Sequence, residues 1–248
     1  MTTQPKPTQT AKITQLMHTR AHLPRLLHLL QFGDSALPIG SFSFSSGLES
    51  AVQRELVHDL ATLHEFVLTV MHQSALSDGI ALLCAHDAFE AHDTAALLDI
   101  DRSLYERKLN EEMRLMAVRT GRKLCELACA VVGDRLNRDW LARIMHGETP
   151  GTHAVSLAIA LGALGIARDD AFGVQQYAVA TTILGAALRL MRVSFIDTQK
   201  ILLDVSSRID AAHAQVADAT LDDMASFAPT IDILAAAHVK ARVRLFMN

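Results

Sequence analysis

The residue types that perform chemistry are present in this chain, but their spacing does not assemble them. Residues 40–47 read Gly-Ser-Phe-Ser-Phe-Ser-Ser-Gly, a stretch rich in hydroxyls. A serine nucleophile needs a base beside it, and the common elbow that exposes one is G-x-S-x-G after a strand. Neither condition is met around Ser43 or Ser45, so these hydroxyls read as partners of the loop's own backbone. Cys125 and Cys129 stand four residues apart, as do His18 and His22, which would place each pair on one helix face and offer a metal two ligands. Two ligands do not close a site. The cysteines read better as small apolar side chains of a core helix, and the histidines as solvated residues. His153, just after the Gly-Glu-Thr-Pro-Gly break at 147–151, is expected to be a neutral ring bonded to backbone near a helix start. An enzyme reading would use Glu49, Arg114, Arg122 and His153 as acid, base and anion clamp, and a nickel-storage reading would use Cys125, Cys129 and the two arm histidines. No G-x-x-x-x-G-K-[ST] occurs, so nucleotide binding through a phosphate loop would have to belong to another protein.

Composition narrows the classes further. A chain of 248 residues with 50% apolar and 20% charged residues can bury a sizeable core in one or two domains. Its net charge of −4 and its lack of any basic block argue against gripping nucleic acid through phosphates. Three cysteines in apolar, helix-forming surroundings point to reduced thiols and a cytoplasmic protein. Residues 1–11 lack the apolar core of a leader, and no stretch of ~18 uninterrupted apolar residues suggests a membrane span.

The elements that would position these residues are helical. Aromatic residues make up only 5% of the chain while Ala and Leu recur throughout, a composition that favours helix over sheet. Residues 1–22, rich in Thr, Gln, Pro and Lys, read as a flexible arm. The domain at 23–248 is expected to be an all-α bundle of about ten helices joined by short loops. A short helix starts at Leu23, with Leu23, Leu26, Leu27 and Leu30 on one stripe, and stops near Gly33. Helix resumes at Gly47–Leu56. Asp59, Asp78 and Asp93 are expected to start further helices; a long amphipathic one runs from Asn110 to Val132, and a shorter one covers Asn137–His146. Thr152 would cap an interior helix over Ala154–Leu164, residues 169–192 would form its neighbour, Asp197 would open a helix reaching Ala219, and a last helix would span Asp232–Phe246. Between the first helices lies the chain's one apolar loop, 34–50, in which Phe42 and Phe44 alternate with serines. That loop is either a lid packed on the core or a docking surface, and the Arg244-Leu245-Phe246 tail has the same two readings.

The loop also carries a resemblance. Asp34-Ser35-Ala36-Leu37-Pro38-Ile39-Gly40-Ser41-Phe42-Ser43-Phe44-Ser45-Ser46-Gly47-Leu48-Glu49 resembles the D-x-x-x-P-x-G-x-(F/Y)-x-x-S-x-G-L-E signature of the UreF family of urease accessory proteins. Glu112-Met113-Arg114 with Gly121-Arg122, Thr152-His153-Ala154, Gln199-Lys200-Ile201-Leu202 and Arg244-Leu245-Phe246 resemble later motifs of that family in the same order. The resemblance implies an all-α homodimer without catalysis of its own. It also implies a scaffold that bridges UreD, also called UreH, and the GTPase UreG, and that assists delivery of nickel to apo-urease. Nickel would be in transit rather than firmly bound, and GTP would be held by UreG. Carried over by position, the contact residues for those partners would be Pro38, Gly40, Phe42, Phe44, Gly47, Glu49, Arg114, Arg122, Arg244, Leu245 and Phe246. Two departures stand out. Some members have Tyr where this chain has Phe42, which leaves only a packing role. Many have Asp-Gly-Gln where it has Asp197-Thr198-Gln199, which argues against a glycine-dependent turn there.

Overall fold

The computed structural model describes residues 23–34, 36–225, 233–234 and 246. The expected arm at 1–22, most of the expected last helix, and the candidate residues Arg244 and Leu245 lie outside the described residues.

Among the described residues the protein is all helix and turn, with no strand. Helix α1 covers residues 23–32. A 3-10 turn at Ser41–Ser43 leads to α2 (Leu48–Gln53), α3 (Leu60–Ser74), α4 (Ile80–Glu90), α5 (Thr94–Arg107) and α6 (Glu111–Val131). The second half comprises α7 (Arg135–Met145), α8 (His153–Ala163), α9 (Arg168–Leu190), α10 (Phe195–Ser206), α11 (Ile209–Val216) and a final 3-10 turn at Leu221–Asp223.

Most helix starts follow from short polar side chains that accept an otherwise unpaired backbone N–H. Asp59 accepts from Thr62, Asp93 from Ala96, Asn110 from Met113 and Asp134 from Asn137, as the polar residues ahead of each apolar stripe predict for the first three. Three expectations are corrected. Asp78 caps nothing: α3 runs into α4 without a break through a π-helical segment at Ala75–Gly79, and Asp78 sits inside that segment, paired with Lys108. Asp197 does not open its helix either. Ser194 does, with Asp197 as the third residue of a reciprocal capping box, and the helix ends at Ser206, separate from α11. Thr198 is therefore buried helix, with no glycine-dependent turn at this point. The helix expected over Gly47–Leu56 is shorter, ending at Gln53.

The core has two parts. One gathers α4, α5, α6, α7 and α8 around the almost wholly buried α8; the other gathers α2, α3, α9 and α10 around Leu48, Leu63, Val67, Ile183 and Val205. Helices α6 and α8 approach so closely that a Cβ on Gly121 would lie 2.2 Å from the carbonyl oxygen of Gly151. Asp101 of α5, fully buried, pins the same corner: its carboxylate accepts from the backbone N–H of Gly151 at 2.6 Å and of Thr152 at 2.8 Å, and from both threonine hydroxyls, Thr149 and Thr152. Thr152 thus precedes α8 as expected, but its hydroxyl serves Asp101 rather than the helix. Two helical stretches, Leu60–Glu90 and Arg168–Leu190, are long and apolar enough to cross a membrane, yet 72% and 50% of their apolar windows are buried inside the protein.

Candidate functional site

The apolar loop buries some of its residues and exposes others. Gly40 and Gly47 both take φ of 84°, the left-handed region that only glycine adopts without strain, and they turn the chain on either side of the Phe-Ser-Phe step. Between them the turn is closed by Ser43 N–H donating to Gly40 O and Phe44 N–H to Ser41 O. The consequence is opposite facing. Phe44 is 2% exposed and packs inward, whereas Phe42 is 62% exposed. Pro38 is exposed on the approach to the turn, and Gly47 is buried beneath it.

Glu49, the second residue of α2, is only 1% exposed. Its carboxylate receives the backbone N–H of Phe246 at 3.2 Å and the side-chain amide of Gln53 at 3.5 Å. Phe246 is 4% exposed and joins the second core, so this candidate contact residue is seated against Glu49. Arg189, at the end of α9, completes the cluster. It donates to the Phe42 carbonyl at 2.9 Å while its guanidinium stacks 4.1 Å from the centre of the Phe246 ring. Nothing in the sequence singles Arg189 out; it is one basic residue near a helix end, where cations are ordinary.

The remaining candidates do not join this cluster. Arg114 donates to the Lys108 carbonyl at 2.8 Å and lies 5.7 Å over the Tyr105 ring, so it holds the α5–α6 connection. Arg122 is exposed and bonded to Glu126 within its own helix at 3.0 Å. Beneath the loop is a cavity of about 160 Å³ walled by α3, the π segment, α6, α8 and α9, with Asp34, Ser41 and Ser46 on its loop side and His153, Glu112, Asp78 and Lys108 on its helix side. Burial pushes the His153 imidazole down to about 4, so it is neutral as expected. His153 lines the cavity. Glu49, Arg114 and Arg122 do not line this cavity, so the four groups of the enzyme reading do not share one pocket. Cys125 is buried and donates to the Asn137 carbonyl at 3.5 Å, and burial raises its thiol above the usual range, as a core residue requires. No group of three metal-ligating side chains occurs among the described residues; His18 and His22 lie outside them.

The site is thus a surface aromatic on a glycine turn, backed by Arg189 and the buried carboxylate of Glu49. Comparison with known sequences gives the chain a family. The UreF family's sequence profile matches residues 57–206. The chain is 65% identical over 240 residues to urease accessory protein UreF 2 of Brucella canis, covering 97% of this chain and 99% of that one. The chain belongs to the UreF family. Within it, urease accessory protein UreF 1 of Brucella melitensis is likewise 65% identical, and UreF of Yersinia pseudotuberculosis is 47% identical over 225 residues, covering 90% of this chain and 98% of its own. As a UreF-family member the protein is a urease accessory protein.

Proposed function

We propose that this protein acts in urease maturation by contact alone, as a scaffold without catalysis of its own. In this reading it docks UreD, also called UreH, through the face that carries Phe42 and the seated Phe246, and it brings UreG alongside. GTP bound and hydrolysed by UreG then drives delivery of nickel, the cargo, to apo-urease. The protein works as a homodimer in the cytoplasm.

The observation that carries the reading is the exposure of Phe42 on a turn otherwise fixed by Gly40, Gly47 and the buried Phe44. Aromatic residues are enriched among the anchors of protein interfaces. Supporting it is a second apolar face: Leu23, Leu26, Leu27 and Leu30 of α1 are all exposed. The chemistry supports a carrier's scaffold in a further way. A carrier must release its ion, and closed multidentate sites hold metals too tightly for that.

Co-purification of the chain with UreD, UreG and apo-urease, followed by urease activity after addition of nickel, GTP and bicarbonate, tests the proposal. A four-component assembly that activates urease, lost with Phe42→Ala, is the expected outcome. Assembly and activation unchanged by Phe42→Ala would overturn the docking role of this face.

A further inference from the structure

Two segments distant in sequence meet at Arg189: the signature turn and the C-terminal aromatic, the latter held by Glu49 at the start of α2. The turn's internal hydrogen bonds end on the carbonyls of Gly40 and Ser41, and the next carbonyl along, that of Phe42, is taken by Arg189 Nη2 at 2.9 Å. The face of the same guanidinium lies 4.1 Å from the Phe246 ring centre, and its Nε donates to Gly185 one turn back at 3.4 Å. Phe246 is in turn held by its N–H on Glu49 Oε2 at 3.2 Å. Arg189 is itself exposed, so core packing does not hold it in place. A long, solvated side chain gives up its rotamer freedom only where contacts compensate, and here the contacts are the two motifs.

We propose that Arg189 is a positioning residue that couples the loop to the C-terminal segment: seating Phe246 on Glu49 fixes the guanidinium, and the fixed guanidinium fixes the direction in which Phe42 is presented. The proposal rests on the reading of the Phe42 face as a docking surface. A planar guanidinium suits the task because it stacks through its face and donates through its edge at the same time. An ammonium has no such plane. Preorganising Phe42 in this way slows dissociation of a docked partner, because less side-chain ordering is left to be done on binding.

The test has two arms. In the isolated chain, hydrogen exchange of the Phe246 amide reports whether Phe246 stays seated on Glu49. Arg189→Ala is expected to accelerate it at least tenfold with little change in the melting temperature, since Arg189 is exposed. Arg189→Lys, which keeps the charge and loses the plane, is expected to recover less than half of that effect. In the second arm, dissociation of UreD is measured for Arg189→Ala, Phe42→Ala and the double variant. Coupling predicts that Arg189→Ala speeds dissociation about tenfold alone and adds less than twofold on top of Phe42→Ala. Unchanged exchange in Arg189→Ala, full recovery by lysine, or fully multiplicative dissociation effects would overturn it. If the unaltered chain does not bind UreD at all, the docking reading fails, and the exchange arm alone then decides whether Arg189 couples the two segments.

Discussion

Phe42 and Phe44 sit two residues apart and face opposite ways, and that difference sets what each substitution should do. Phe44→Ala removes a buried ring and is expected to cost about 3–5 kcal/mol, read as a lower denaturation midpoint. Phe42→Ala removes a ring already in water; the denaturation midpoint should stay within experimental scatter while affinity for UreD falls at least a hundredfold. The alternation of aromatic and serine was legible in the sequence, but which phenylalanine faces out was not, since that depends on the left-handed turns at Gly40 and Gly47 and on the core beneath. Arg189 was not legible at all, because its partners lie far away in sequence and no local spacing announces them. His153 gives a pH prediction. Its folded-state pKa lies near 4, below the ordinary value of 6.5, because burial disfavours the charged ring. Between these values the unfolded chain binds a proton that the folded one does not, so stability is complete above about pH 6.5 and falls as the pH drops toward 4. In His153→Gln this portion of the pH dependence of the melting temperature should flatten; an unchanged slope would mean that the ring titrates normally in the folded protein.

At the scale of elements, the closest contact is made by a residue without a side chain. Gly121 lets α6 lie against the backbone that enters α8, where an added Cβ would come within 2.2 Å of the Gly151 carbonyl. Gly121→Ala should therefore cost at least about 1–3 kcal/mol, because backbone on the far side cannot swing away. Gly173, inside α9, has nothing within 4 Å of its would-be Cβ, and Gly173→Ala should stabilise by up to about 1 kcal/mol. Paired denaturant titrations of the two variants, one moving down and one up, check both. The family-like Gly121 and Thr152-His153-Ala154 motifs thus meet each other, and the structure gives Gly121 a packing reason. Helix positions were legible from periodicity and caps, as at Asp59, Asp93 and Asn110. The continuous α3–α4 rod was not, since a π segment carries no sequence mark and Asp78 resembles a cap until Lys108 is seen to claim it. Asp101 was equally hidden, being one carboxylate on a polar-looking helix that proves to be the anchor of the 149–152 turn.

At the scale of the whole molecule, an all-α chain keeps its polar chemistry dispersed. Arg122 is spent on Glu126, Arg114 on the α5–α6 connection, and the cysteines on the core. The cavity beneath the loop holds a neutral imidazole and Asp78, which pairs with Lys108 and accepts from the Ser77 hydroxyl at 3.1 Å. What remains distinctive is surface: an aromatic on a fixed turn, an arginine behind it and a C-terminal aromatic seated next to it. The fold class and the family were legible from composition and from the order of motifs; the convergence of loop, α9 and C-terminus required the tertiary structure. In the proposed docking, Phe42 is the point of attachment. Its most direct test is the affinity of purified UreD for the chain and for Phe42→Ala, measured alongside helicity and melting temperature. The prediction is a loss of at least a hundredfold in affinity with helicity and melting temperature unchanged; equal affinity for both proteins would contradict it.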